Sequence, residues 1–310
     1  MSADTSTTEA ITSPPEQATR ERLYRYALFA CAAVSILVTL GIVLVLGYGA
    51  IDFFQQYDPV AFYTGTEWII NRDKLGVLPL LSGTVLVTVL SAMVALPIGL
   101  AAATYLSEYA SERARSVLKP ALEILAGIPT VVYGYFALVY VTPFLQALGL
   151  PLGTFNVLGA SIMVGIMILP MVSSLSEDAM SSVPDSLRQA GYGMGATKFE
   201  VSTGVVIPAA VSGIFSSFIL ALSRAIGETM IVAVAMGQSP QLISVADPLS
   251  NVFESNLPMT SAMVQLVQAE NAGGVIYQSM FAIGLTLFVV TFLMNLASNR
   301  IAAHYREEYE

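Results

Sequence analysis

Six stretches of this chain, at about residues 26–49, 77–106, 121–145, 155–175, 205–236 and 275–296, run through twenty or more mostly apolar residues. A helix needs about 20 apolar residues to cross a bilayer. Lipid offers the backbone no hydrogen-bond partners, so such stretches fold as helices. The expected fold is all-α and integral to a membrane, with six transmembrane helices. Charge agrees: 11% of the residues are charged, against about 25% in a soluble domain. The first stretch follows Arg20, Arg22 and Arg25. It is too long for the apolar core of a signal peptide, about 7–15 residues, and reads as a retained helix. Pro97 lies inside the second stretch, where it removes a backbone donor and favours a kink.

The basic residues orient the spans. Arg20, Arg22, Arg25, Arg113, Arg115, Lys119, Arg188, Lys198, Arg300 and Arg306 fall on one side of the six-helix arrangement, and only Arg72 and Lys74 on the other. By the positive-inside rule the crowded side is cytoplasmic, which puts both termini there. Residues 1–19, rich in Ser, Thr, Pro and Glu, read as a disordered cytoplasmic tail. Residues 20–310 form one transmembrane domain, with its core at about 80–300 and a polar cytoplasmic loop at 176–204. The longest connections, 50–76 and 237–273, lie outside and read either as solvated linkers or as contacts for an external partner.

Several chemistries are excluded. The net charge of −9 argues against nucleic-acid binding. Cys31 is the only cysteine and His304 the only histidine, so there is no disulfide framework, no zinc cluster and no serine–histidine triad. The stretch from Gly191 to Lys198 has Thr197 where a phosphate loop needs its second glycine. The chain is thus expected to be no enzyme, with no cofactor or metal, and to take its energy from another subunit.

Two polar features remain. Pro184, Asp185 and Ser186 suit a helix start, and Gly193 and Gly195 suit its end and a tight turn. A short cytoplasmic helix is expected between them, either a docking element or a plain connector. Arg224 and Glu228 sit inside the fifth apolar stretch, at a cost of roughly 3 kcal/mol each in lipid. On a helix they share a face, beside a stripe of small residues, Gly213, Ser217, Ala221 and Ala225, that admits a close neighbour. Arg224 offers a donor fork for a passing oxyanion, held by Glu228; the alternative is a structural salt bridge. Glu123 reads as a structural acid near a helix N-terminus, and Tyr133, Tyr135 and Tyr140 as packing or interfacial aromatics.

The polar loop resembles that of ABC-importer permeases, of the form E-A-A-x3-G-x9-I-x-L-P. Here Gln189, Ala190 and Gly191 are followed at the same spacing by Gly195, Val205, Ile207 and Pro208. Gln189 replaces the glutamate, Gly191 an alanine, Val205 an isoleucine and Ile207 a leucine. The string Arg224-Ala225-Ile226-Gly227-Glu228-Thr229-Met230 is similar to the signature of PstC-type permeases of phosphate ABC importers, as is Gly127-Ile128-Pro129-Thr130-Val131-Val132-Tyr133-Gly134.

This resemblance implies a type I ABC-importer permease fold in the inner membrane. It implies that residues 185–195 form a coupling helix seated on an ATPase, with Pro184, Asp185, Leu187, Arg188, Gln189, Ala190, Gly191 and Gly195 in the coupling surface. It also implies a substrate pathway at Arg224, Glu228 and Thr229. The implied partners are a PstA-type permease, a PstB-type ATPase dimer and a PstS-type phosphate-binding protein, with inorganic phosphate as the substrate. Alternatives are a permease for sulfate or molybdate, or a phosphate-sensing scaffold subunit.

Overall fold

The computed structural model describes residues 15–244, 246–267 and 274–304. Helix α1 (Pro15–Phe54) begins inside the segment expected to be a tail, and residues 1–14 lie outside the described residues. A short helix α2 (Pro59–Thr64) and the hairpin β1 (Trp68–Ile69) and β2 (Lys74–Leu75) follow, the strands pairing antiparallel with Trp68 opposite Leu75. Asp73 turns the hairpin at φ 51°, and Lys74 reaches Glu67 at 2.6 Å. That hydrogen bond and charge hold the Glu67 carboxyl below its usual pKa.

Helix α3 (Leu78–Thr104) runs on through a π turn to Tyr109. Thr84, Thr88 and Ser91 bond the carbonyls one turn back, while Ser82 and Ser91 also reach the carbonyls of Gln241 and Ser161. The third stretch, expected as one helix over 121–145, is two. Helix α4 (Glu112–Gly127), capped by Ser111, ends where Pro129 drives Ile128 into extended backbone. The chain then restarts as α5 (Thr130–Phe136), which passes through a π turn into α6 (Thr142–Ala147). Glu123 therefore lies well inside α4, not near a helix N-terminus.

Helix α7 (Val157–Ser181) extends past Leu175, so the first residues of the expected 176–204 loop belong to a span. The short polar helix α8 (Asp185–Gly193) is followed by α9 (Lys198–Val201), a π turn and α10 (Ile207–Ala209). The expected 205–236 helix breaks twice. A 70° bend separates α10 from α11 (Val211–Ile226), and Gly227–Thr229 separates α11 from α12 (Met230–Ala235). After α13 (Ser250–Phe253) and α14 (Met259–Val267), α15 (Val275–His304) closes the chain. Among the described residues five helices are long and apolar enough to cross a membrane, and a sixth span exists if the bent pair counts as one.

Three apolar clusters stack through the body. The central one joins α3, α5, α7, α11 and α12 around Val87, Ile168, Ala221 and Ile231. Here α3 and α7 touch closely: a Cβ on Gly99 would lie 2.7 Å from the Val172 side chain. The small-residue stripe of α11 packs on α7, with Gly213 against Ala179 and the Ser217 and Ser176 hydroxyls 2.7 Å apart. A second cluster binds Phe53, Phe62, Trp68 and Leu75 to Leu257 and Leu266. The described parts of the two long connections are therefore packed on each other and are not solvated linkers. The third cluster, with Ala103, Met180, Val201 and Ile214, lies under α8. Only the end of α1 joins the body, through Ala50 and Phe53, while residues such as Leu28, Leu37 and Leu44 are exposed.

Candidate functional site

The break at Gly227–Thr229 frees backbone groups from the helix ladder, and several of them are satisfied locally. Glu228 turns its Oε1 onto the amides of Met230 (3.0 Å) and Ile231 (3.2 Å), starting α12. The hydroxyl of Thr260, on α14, donates to the Glu228 carbonyl at 2.8 Å. Thr229 donates to the Gly227 carbonyl at 3.2 Å. Thr229 thus uses its hydroxyl to hold the break.

The second oxygen of Glu228 receives Nη1 of Arg224 at 3.1 Å. The two are brought together as their spacing predicts, but Glu228 stands beyond the end of α11, fixed by the amides ahead of it. The pair is lopsided: Glu228's side chain is 2% exposed and Arg224's is 45%. Among the described residues Arg224 makes no other hydrogen bond, so the rest of its donor fork is open.

That fork lines a cavity of about 660 Å³ between α4, α5, α7 and α11. Its walls are apolar at Leu122, Met167, Ile168 and Leu220, and polar at Lys119, Glu123, Thr130, Ser174 and Glu177. Glu177 is buried on α7 and is gripped from α4 by Arg115 on Oε1 and by Lys119 at 2.7 Å from Oε2. An unpaired buried carboxylate carries a penalty of several kcal/mol, which these cations offset. Sequence reading missed all three residues. The hydropathy boundary at Leu175 put Glu177 in a loop. The spacing of Arg115 and Lys119, four apart on one helix face, was the available signal. Tyr133 is buried and donates to the Leu125 carbonyl at 2.6 Å, bracing the Pro129 break, while Tyr135 and Tyr140 are exposed.

The knob around α8 has an anchored side and an open side. Pro184 precedes α8 in extended backbone, and Gly195 closes the turn at φ +86°. Gly191 is buried, where a Cβ would stand 2.9 Å from the Val201 side chain. Leu187 packs on the third apolar cluster. Arg188 turns inward: it donates to the carbonyls of Val183 (2.5 Å) and Met180 (2.8 Å), and pairs with Glu108 at 3.1 Å and Asp185 at 3.2 Å. Its side chain is 14% exposed, so it is not presented to a partner. Asp185, Gln189, Ala190, Tyr192, Met194 and Phe199 face outward.

Residues 95–307 match the family of binding-protein-dependent transport system inner membrane components. This chain belongs to that family. The permease is 32% identical over 280 residues to the probable ABC transporter permease protein YqgH of Bacillus subtilis, covering 88% of this chain and 87% of that one. It is 32% identical over 290 residues to the phosphate transport system permease protein PstC of Mesorhizobium japonicum, covering 87% and 86%. Its fold is shared with a chain in the crystal structure of a bacterial ABC transporter that imports the acidic polysaccharide alginate. There the TM-score is 0.64 at 15% identity, over 94% of this chain and 100% of that chain. The permease is therefore a multi-pass inner-membrane subunit of an ABC importer. It works with a second permease, an ATPase that hydrolyses ATP, and a substrate-binding protein.

Proposed function

We propose that this permease passes inorganic phosphate inward, with Arg224 as the residue that meets it. The observation carrying the proposal is the half-open Arg224 guanidinium, held on one edge by a buried Glu228 and facing a cavity with its remaining donors. A planar donor fork suits the oxygens of phosphate. Glu228 fixes the fork and moderates its charge, so the anion is met without being trapped. Thr229 supports the same break. The relatives named for phosphate transport support this substrate.

In this reading both termini are cytoplasmic, and α8 is the coupling helix. Gln189, Ala190 and the exposed Tyr192, Met194 and Phe199 meet a PstB-type ATPase dimer, while Leu187, Arg188, Gly191 and Gly195 keep the helix rigid and seated. A PstA-type permease completes the pathway, and a PstS-type protein delivers phosphate from outside. The test is ATP-driven uptake of labelled phosphate by the complete importer in vesicles, with sulfate and molybdate as competitors. Phosphate-selective uptake that falls about 100-fold in Arg224→Ala is expected, the scale for losing a charged contact to a passing anion. Normal uptake by Arg224→Ala and Glu228→Ala complexes would sink the site, and selective uptake of another oxyanion would overturn the substrate.

A further inference from the structure

The cavity holds a second charged group that the Arg224 pair does not explain. Glu177 is buried to 1% side-chain exposure, yet Arg115 and Lys119 on α4 are 42% and 37% exposed. Both cations are therefore only partly enclosed by this chain, whereas the carboxylate is wholly enclosed. They stand one turn apart on one face of α4, and each takes a different oxygen: Arg115 takes Oε1 and Lys119 takes Oε2. This is how a receptor divides its cations over an oxyanion. Lys119 Nζ lies 2.7 Å from Oε2, and the ammonium is the only group that contacts this oxygen among the described residues, so an anionic oxygen arriving at Lys119 would compete with Oε2 alone.

Charge balance points the same way. Lys119, Arg224, Glu123 and Glu177 line the cavity, and Arg115 and Glu228 pair with Glu177 and Arg224 from behind it, which makes three cations and three carboxylates. The set is neutral as it stands. Glu228 is locked by two backbone amides and cannot leave without unmaking the start of α12. Glu177 carries no such lock.

We propose that Glu177 is a built-in stand-in for the transported oxyanion, and that Arg115 and Lys119 are the anion site on the release side of the cavity. The inference rests on the reading of this permease as an oxyanion pathway. An anion leaving Arg224 displaces Glu177 from Lys119, is held there by the two α4 cations, and is expelled when Glu177 returns. Glu177 thus acts as a competitor that keeps the site from retaining its cargo.

The experiment uses the complete importer in vesicles, compared at equal amounts of assembled complex. It measures ATP-driven phosphate uptake and its inhibition by phosphate preloaded on the release side. Glu177→Gln, nearly isosteric, is expected to slow uptake and to make release-side phosphate inhibit at about tenfold lower concentration. Lys119→Gln is expected to shift that inhibition the other way by about tenfold. The double variant Lys119→Gln/Glu177→Gln separates the readings: a structural ion pair predicts uptake restored to wild type when both charges go, whereas an anion site predicts uptake still low. Release-side inhibition unchanged in Glu177→Gln, or uptake restored in the double variant, would overturn the proposal. Wild-type vesicles that carry sulfate instead of phosphate would overturn the substrate alone, and the same variants would then be read with sulfate.

Discussion

Glu228 shows how one side chain can hold both a fold and a site. It starts α12 through two amides and fixes Arg224 through its other oxygen. Removing it strands two buried donors and a guanidinium. Glu228→Ala should therefore cost about 2–4 kcal/mol, while Glu228→Gln, which keeps an acceptor for the amides, should cost about 1 kcal/mol. Thermal unfolding of the detergent-solubilised permease checks this, and equal losses in the two variants would refute the capping role. The pairing of Arg224 with Glu228 was legible from spacing alone. The capping was not, because an apolar run through Val205–Met236 gives no sign that the helix stops at Ile226. Lys119 and Glu177 were illegible for a different reason. They lie 58 positions apart, and only the packing of α4 on α7 makes them neighbours.

Among the elements, α8 was the most readable, since proline and glycine punctuate it and its bounds fall where they predict. What the sequence did not disclose is its attachment. Arg188 ties α8 to the end of α7 through the Met180 carbonyl and to the end of α3 through Glu108, a pair buried to 14% and 4% side-chain exposure. These contacts fasten α8 to both spans, so in its proposed coupling role its motion would carry them together. Arg188→Ala loosens this joint while leaving the outward face of α8 intact. ATP hydrolysis by the assembled importer should persist, with phosphate moved per ATP falling about tenfold, because a cut coupling element changes stroke rather than chemistry. A parallel measurement of hydrolysis and uptake decides it, and an unchanged ratio would show that α8 is coupled by other contacts.

For the whole molecule, six apolar runs sufficed for the membrane class, because lipid permits few alternatives, while the described residues hold five clear spans and a sixth only if the bent α10–α11 pair counts as one. Hydropathy could not place the breaks at Pro129, Ala210 and Gly227–Thr229, since broken and unbroken spans have the same composition. Nor could it show that the two long connections pack into a cap, because Phe53, Phe62 and Trp68 of one meet Leu257 and Leu266 of the other, far along the chain. Trp68, the only tryptophan, is 5% exposed inside it and reports on it directly. Phe62→Ala should cost about 3 kcal/mol locally. It should raise acrylamide quenching of Trp68 while spectroscopic helix content stays unchanged; quenching equal to wild type would refute the cap's dependence on Phe62.

The short run of α7 between its two grips has a mechanical consequence. Glu177 reaches into the cavity, and Met180 receives Arg188 from α8. Three residues of helix separate them, about 4.5 Å of axial rise. A helix so short cannot stretch or twist appreciably between its attachment points, so this linkage has no slack. In the proposed mechanism a displacement delivered at α8 would reach the Glu177 backbone with little loss, so the knob and the carboxylate's turn of helix would move together.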